Sequence, residues 1–178
     1  MSSRFAALRE WYRSSRLFRW AVDLTAVIAI ITGIGLYQTR NHPRGPAPQY
    51  VMTSLENGSA VSFATYSGKP TVVAVWAPWC GVCKAESDNL SRARHWLGSR
   101  ANVISVATQF GDVSQVHAYM KNQNVDYPVL IAGDDFAQVM HINAFPTLFV
   151  LDSEGKIVSS VEGYTTTAGV LWRALWAG

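Results

Sequence analysis

Polar and apolar positions along the chain fall into two regimes that meet near residue 50. Ahead of it, the run LTAVIAIITGIGLY, Leu24 to Tyr37, carries no charge and is apolar on every side. As a helix that run spans only about 21 Å, but counted back to Leu17 it reaches about 31 Å, against about 30 Å for a hydrocarbon core. The longer span takes in Arg19 and Asp23, which can meet on one helix face, and Trp20 and Tyr37, which suit the membrane interface. Residues 17–37 therefore predict a transmembrane anchor. An uncleaved anchor fits better than a signal peptide, because the arginine-bearing leader is long and no A-x-A site follows the apolar run. Residues 38–49 hold three prolines, a glycine and no large apolar residue, so they predict an extended Pro-rich linker.

From Tyr50 onward, strand-like and helix-like patterns alternate. A strand pair is expected over Tyr50–Thr53 and Ala60–Ala64, turned by Asn57-Gly58. Thr71–Ala77 and Asn102–Thr108 are continuous apolar runs of the kind buried on both faces of a sheet. Between them, Leu90, Ala93 and Leu97 mark one side of a helix from about Cys80 to Leu97, stopped by Gly98. Val113, Val116 and Met120 recur at helical spacing within Asp112–Asn122. A short strand at Pro128–Ala132, a short helix at Asp134–His141, a hairpin of Thr147–Leu151 with Lys156–Val161, and a helix over Thr166–Trp176 complete the series. This order predicts an α/β domain over 50–178, a mixed sheet with helices on both faces.

Charge changes the picture at one end only. The net charge is +3, but seven arginines against two acids lie before residue 50, and the remainder is slightly acidic. That asymmetry excludes a basic nucleic-acid face on the domain. Five arginines precede the uncharged run from Leu24 and only Arg40 and Arg44 follow it closely, so the positive-inside rule puts an Arg-rich segment, 1–16, in the cytoplasm and the domain outside.

Cys80 and Cys83 are the only cysteines, set in AVWAPWCGVCKAE. A purely structural bridge closing so short a loop would contribute only about 2 kcal/mol in the chain-entropy account. Zinc needs further N or S ligands, and His95, His117 and His141 lack metal spacing; a soft Cu(I) ion needs only two thiolates and remains as a rival. The catalytic reading explains the placement: after a buried strand and at the first turn of a helix, unpaired N–H groups and the helix dipole lower the pKa of Cys80. Cys83, one turn on, can resolve a mixed disulfide formed at Cys80.

WAPWCGVCK resembles the active-site segment of the thioredoxin superfamily, and Phe145-Pro146-Thr147, followed by a strand, a G-K turn and another strand, resembles its cis-proline loop. Where thioredoxin has a buried Asp before the first cysteine, this chain has Ala74; instead Glu86 completes a C-x-x-C-x-x-E pattern similar to the membrane-tethered TlpA, ResA and DsbE type. The tether and the C-G-V-C sequence are also similar to the ScsD-like branch, associated with copper tolerance. The resemblance implies a thioredoxin fold with an N-terminal strand pair (50–64) and a central βα insertion (112–132). It also implies a protein-disulfide oxidoreductase without cofactor or metal, facing the periplasm from the inner membrane of a Gram-negative cell. Cys80 and Cys83 would be the catalytic and disulfide-forming pair. Glu86 would exchange a proton with Cys83, the alternative being an exposed helix acid; Trp79 would wall the site, Trp76 would be core and Lys84 a solvated charge. Phe145, Pro146 and Thr147 would form the platform for a substrate polypeptide. Partners would be proteins bearing disulfides or thiols and a DsbD-like membrane electron donor. Running in reverse, the same pair would be an oxidase or isomerase.

Overall fold

The computed structural model of the protein describes residues 16–178. Apart from Arg16, the segment expected in the cytoplasm lies outside the described residues. Two units emerge, one ending at Arg40 and the other spanning Asn41–Gly178.

The first is a single helix, α1, Arg16–Gln38, with none of its residues buried. By length and composition it can cross a membrane. Its Thr25 hydroxyl donates to the Ala21 carbonyl at 2.8 Å, so no polar group of that side chain faces lipid unsatisfied. At its end the Arg40 guanidinium lies 3.7 Å from the Tyr37 ring centroid and donates to the Tyr37 carbonyl, putting a cation on the negative end of the helix.

The second unit is built on an eight-stranded mixed sheet. Its strands are β1 Gly45–Pro46, β2 Met52–Ser54, β3 Ala60–Val61, β4 Thr71–Trp76, β5 Asn102–Ala107, β6 Val129–Ile131, β7 Thr147–Leu151 and β8 Lys156–Glu162, in the order β1-β8-β7-β4-β5-β6-β2-β3. Central β4 runs parallel to β5 and antiparallel to β7. All six residues of β4 are buried, which is why its sequence has no polar alternation. Val73 and Val75 pack on one face with Phe63, Ile104, Phe136 and Phe149. Val72 and Ala74 pack on the other with Leu90, Leu97, Leu148 and Val170. Each such side chain, fully buried, contributes about 1.5–3 kcal/mol.

Helices cover both faces: α2 Gly81–Leu97, α3 Val113–Asn122, α4 Phe136–Val139 and α5 Thr167–Trp176, with a 3₁₀ turn over Phe63–Tyr66. In α2 and α5 the buried positions recur at helical spacing, as the sequence pattern requires. Gly98 stops α2 at φ 55°, ψ −122°, its N–H donating to the Arg94 carbonyl. No L side chain adopts that conformation without strain, so Gly98→Ala is expected to cost about 1–2 kcal/mol, read as a lowered urea midpoint at unchanged slope.

Three expectations are corrected. The linker over 38–49 is not a free tether: Gly45 and Pro46 pair with Ile157 and Lys156 as edge strand β1, where a proline lacking an N–H is tolerated, and His42 is buried. The second expected strand ends at Val61, because Phe63 turns into the core in the 3₁₀ turn. On α3 the inward residues are Val116 and Tyr119, while Val113 is exposed, since Tyr119 stacks on Trp76 with centroids 3.9 Å apart and sets the inward face. The N-terminal strand pair and the βα insertion are present: α3 leads into β6, which lies between β5 and β2.

Candidate active site

β4 delivers the chain to Pro78-Trp79 beyond its carboxyl end, and α2 begins at once. Cys80 is the residue capping that helix, and its Sγ accepts the Cys83 backbone N–H at 3.1 Å. Cys80 and Cys83 form a disulfide, S–S 2.09 Å, with Cα atoms 5.3 Å apart. A sulfur at this position receives one of the N–H groups that a helix start leaves without a partner, so the same bond awaits a thiolate on Cys80 once the pair is reduced. Both cysteines are buried in a cluster with Trp76, Ala77, Ala107, Val116 and Tyr119, while Trp79, Gly81 and Val82 around them are exposed.

Trp79 is fixed from two sides. Its indole N–H donates to the Gln109 carbonyl at 3.0 Å, and its ring meets Phe145 edge-on at 5.7 Å. Gln109 sits at φ 52°, an uncommon value for a residue with a side chain, and nothing in its sequence neighbourhood signals it. An open cleft beyond Trp79 is lined by Pro78, Lys84, Gln109, Gln115 and Tyr119. Lys84 is exposed and Trp76 is core, as read from the sequence.

The Phe145–Pro146 peptide bond is cis. Within the expected docking trio the three residues are not equivalent. Thr147 belongs to β7 and its hydroxyl donates to the Ala144 carbonyl at 2.7 Å; the Pro146 carbonyl accepts Gly163 N–H at 2.7 Å. Phe145, half-buried, is the member whose backbone these contacts leave unclaimed.

Glu86 differs most from the bland expectation of an exposed acid. It is 1% exposed, one turn beyond Cys83 on α2, and accepts the Thr165 backbone N–H at 2.7 Å. Burial pushes its carboxyl from 4.5 to about 7, against the lowering effect of the Thr165 hydrogen bond. Ala74 packs among apolar neighbours, so β4 contributes no acid and the buried carboxyl here comes from the helix. Asn89, on the same face, donates to the Thr165 carbonyl and the Tyr164 hydroxyl, locking the loop before α5. Thr165 and Asn89 were not readable from sequence, since neither carries a motif. His95 is exposed and pairs with Asp126 at 2.7 Å, away from the cysteines in sequence and on the outer face of α2.

The Redoxin family profile matches residues 43–169. Thiol-disulfide oxidoreductase ResA of Bacillus subtilis is 27% identical over 122 residues, covering 67% of each chain. Thioredoxin-like protein YneN of the same organism is 24% identical over 150 residues, 79% of this chain and 88% of that one. Among solved structures, a thiol:disulfide interchange protein from Chlorobium tepidum superposes with a TM-score of 0.65 at 24% identity, covering 77% of this chain and 98% of that one. A secreted thiol-disulfide isomerase from Corynebacterium glutamicum does so with 0.67 at 19% identity, covering 73% and 83%. At these identities the superpositions carry the fold, which is thioredoxin-like.

Proposed function

Because the chain belongs to the Redoxin family, we propose that it is a membrane-tethered thiol:disulfide oxidoreductase that reduces disulfides in substrate proteins through Cys80 and Cys83. The observation that carries this reading is the disulfide at the start of α2 with a buried carboxyl one turn beyond it. In the reduced protein the Cys80 thiolate, stabilised by the Cys83 N–H and the helix dipole, attacks one sulfur of a substrate disulfide. A mixed disulfide forms and the substrate's other sulfur leaves as thiolate. Cys83 then passes its thiol proton to the Glu86 carboxylate and attacks Cys80 Sγ. The second substrate sulfur departs, two electrons have moved to the substrate, and the Cys80–Cys83 disulfide is restored. A carboxyl titrating at about 7 is suited to that exchange, because it both accepts and returns a proton near neutral pH.

Substrate polypeptide is read as running across Phe145 and Trp79, pairing by backbone hydrogen bonds with Phe145. A helix able to cross a membrane and the arginine count ahead of it support an inner-membrane anchor, with the domain in the periplasm. Working as a reductase there, the protein requires a membrane electron donor of the DsbD kind.

The reduction potential of Cys80–Cys83 tests the direction. Measured in the full chain in detergent against dithiothreitol and glutathione buffers, it is expected near the thioredoxin level of about −270 mV. A value near about −120 mV would mark a dithiol oxidant and reverse the proposed direction.

A further inference from the structure

Glu162, the last residue of β8, turns its carboxylate into the protein: the side chain is 6% exposed. Its Oε1 accepts three hydrogen bonds, from His42 Nε2 at 3.0 Å, from the Asn143 backbone N–H at 3.1 Å and from Asn143 Nδ2 at 3.4 Å. Neither partner of this cluster takes part in the thiol chemistry, and neither Glu162 nor His42 belongs to a sequence motif.

Its position explains what it does. Asn143 opens the segment that leads through Ala144 to Phe145 and cis Pro146. At the other end of that segment, Thr147 pairs with Glu162 across β7 and β8, and Gly163 N–H donates to the Pro146 carbonyl. Residues 162 and 163 thus hold both sides of the loop. Among the described residues, His42 is the one side-chain donor to the Glu162 carboxylate from outside it. The His42 side chain is fully buried, its ring 5.2 Å from that of Phe149, and its Nδ1 has no hydrogen-bond partner among the described residues. The bond to Glu162 is therefore the polar contact that orients the ring, and the ring in turn closes the carboxylate off from water. A buried carboxylate stripped of a donor is costly to keep in place.

Resting on the reading of Phe145 as the substrate-docking residue, we propose that His42 and Glu162 are positioning residues: a buried residue of the linker braces the carboxylate that holds Asn143, and so fixes where Phe145 meets a substrate polypeptide. The segment that joins anchor and domain is then part of the substrate site. A small reductant such as dithiothreitol, which needs no backbone pairing, is indifferent to this brace.

The test uses the full chain in detergent, a short synthetic peptide closed by one disulfide as substrate, and dithiothreitol as regenerating reductant. His42→Ala and Glu162→Ala are expected to raise KM for the peptide about tenfold, equivalent to about 1.4 kcal/mol, with kcat held. His42→Gln, whose amide still donates to Glu162, should restore the wild-type KM. Should His42→Ala fail to fold, Asn143→Ala, which removes the longest of the three bonds together with the Nδ2 bond to the His141 carbonyl and keeps the backbone one, is expected to raise KM to a smaller extent. Unchanged KM in the folded variants overturns the inference. An equal loss in peptide turnover and in direct reduction of the enzyme by dithiothreitol marks a general structural role and overturns it too. A wild-type chain that reduces the peptide disulfide no faster than dithiothreitol alone overturns the proposed function and this inference together, whereas wild-type turnover above that background with variants of unchanged KM overturns the inference alone.

Discussion

Cys83→Ser should accumulate one equivalent of a covalent adduct between Cys80 and a substrate cysteine, while Cys80→Ser should form none and lose turnover to the level of free thiols. The asymmetry follows from position. Cys80 caps α2 with its sulfur on the Cys83 amide, so it is the thiol whose charge the helix stabilises, and it lies beside exposed Trp79 and half-buried Phe145. Cys83 lies one turn further along α2, and since the two are almost equally buried, Cys80 at 5% and Cys83 at 3%, it is the helix cap rather than exposure that singles out Cys80. Non-reducing electrophoresis followed by mass spectrometry of the adduct reads both outcomes. Equal trapping by the two variants would mean that the cysteines are interchangeable, whereas no trapped species with Cys83→Ser would count against a catalytic pair and return ground to a copper-handling role. Exchange undiminished in Cys80→Ser would sink the assignment of the nucleophile.

The second large effect concerns stability. With Glu86 raised to about 7 in the fold, the native protein keeps a proton that the unfolded chain releases near 4.5. Stability must therefore fall as pH rises from about 4.5 to about 7, and the full cost of carrying the charge inside, about 3 kcal/mol, is reached above that window. Glu86→Gln keeps an oxygen for the Thr165 N–H and removes the charge, so it should unfold later than the wild type at pH 8 and match it near pH 4. Urea unfolding of the disulfide form across this range measures the difference; parallel pH profiles would show that burial of the carboxyl is not felt. The same variant should slow the attack by Cys83 most near neutral pH, where the carboxylate takes the proton. A gain in stability paired with a loss of rate is the pattern of a group held in place for chemistry, at a cost to the fold.

Much of this protein was legible in its sequence because the signals are local. An unbroken β-branched run such as Thr71–Trp76 has only one stable environment, between two covered faces of a sheet, and there it lies. Leu90, Ala93 and Leu97 share a helix face by spacing alone, and all are buried. Two cysteines between a strand and a helix leave few chemical roles. The spacing on α3 was less informative: Val113 fits the period but is exposed, because the helix turns Val116 and Tyr119 inward against Trp76 and Val129.

By itself, then, the sequence determined the order of elements, the apolar span ahead of the domain, and the pair of sulfurs placed where a helix begins. All of these depend on residues within a few turns or one strand of each other. Tertiary structure alone decided that Glu86 is an internal acid, because its environment is made by Thr165, 79 positions away. It likewise decided that the linker folds back as an edge strand, and that His42 meets Glu162 across 120 positions. Burial of a polar group is a property of whatever packs against it, and no local pattern records the arrival of a partner from the far end of the chain.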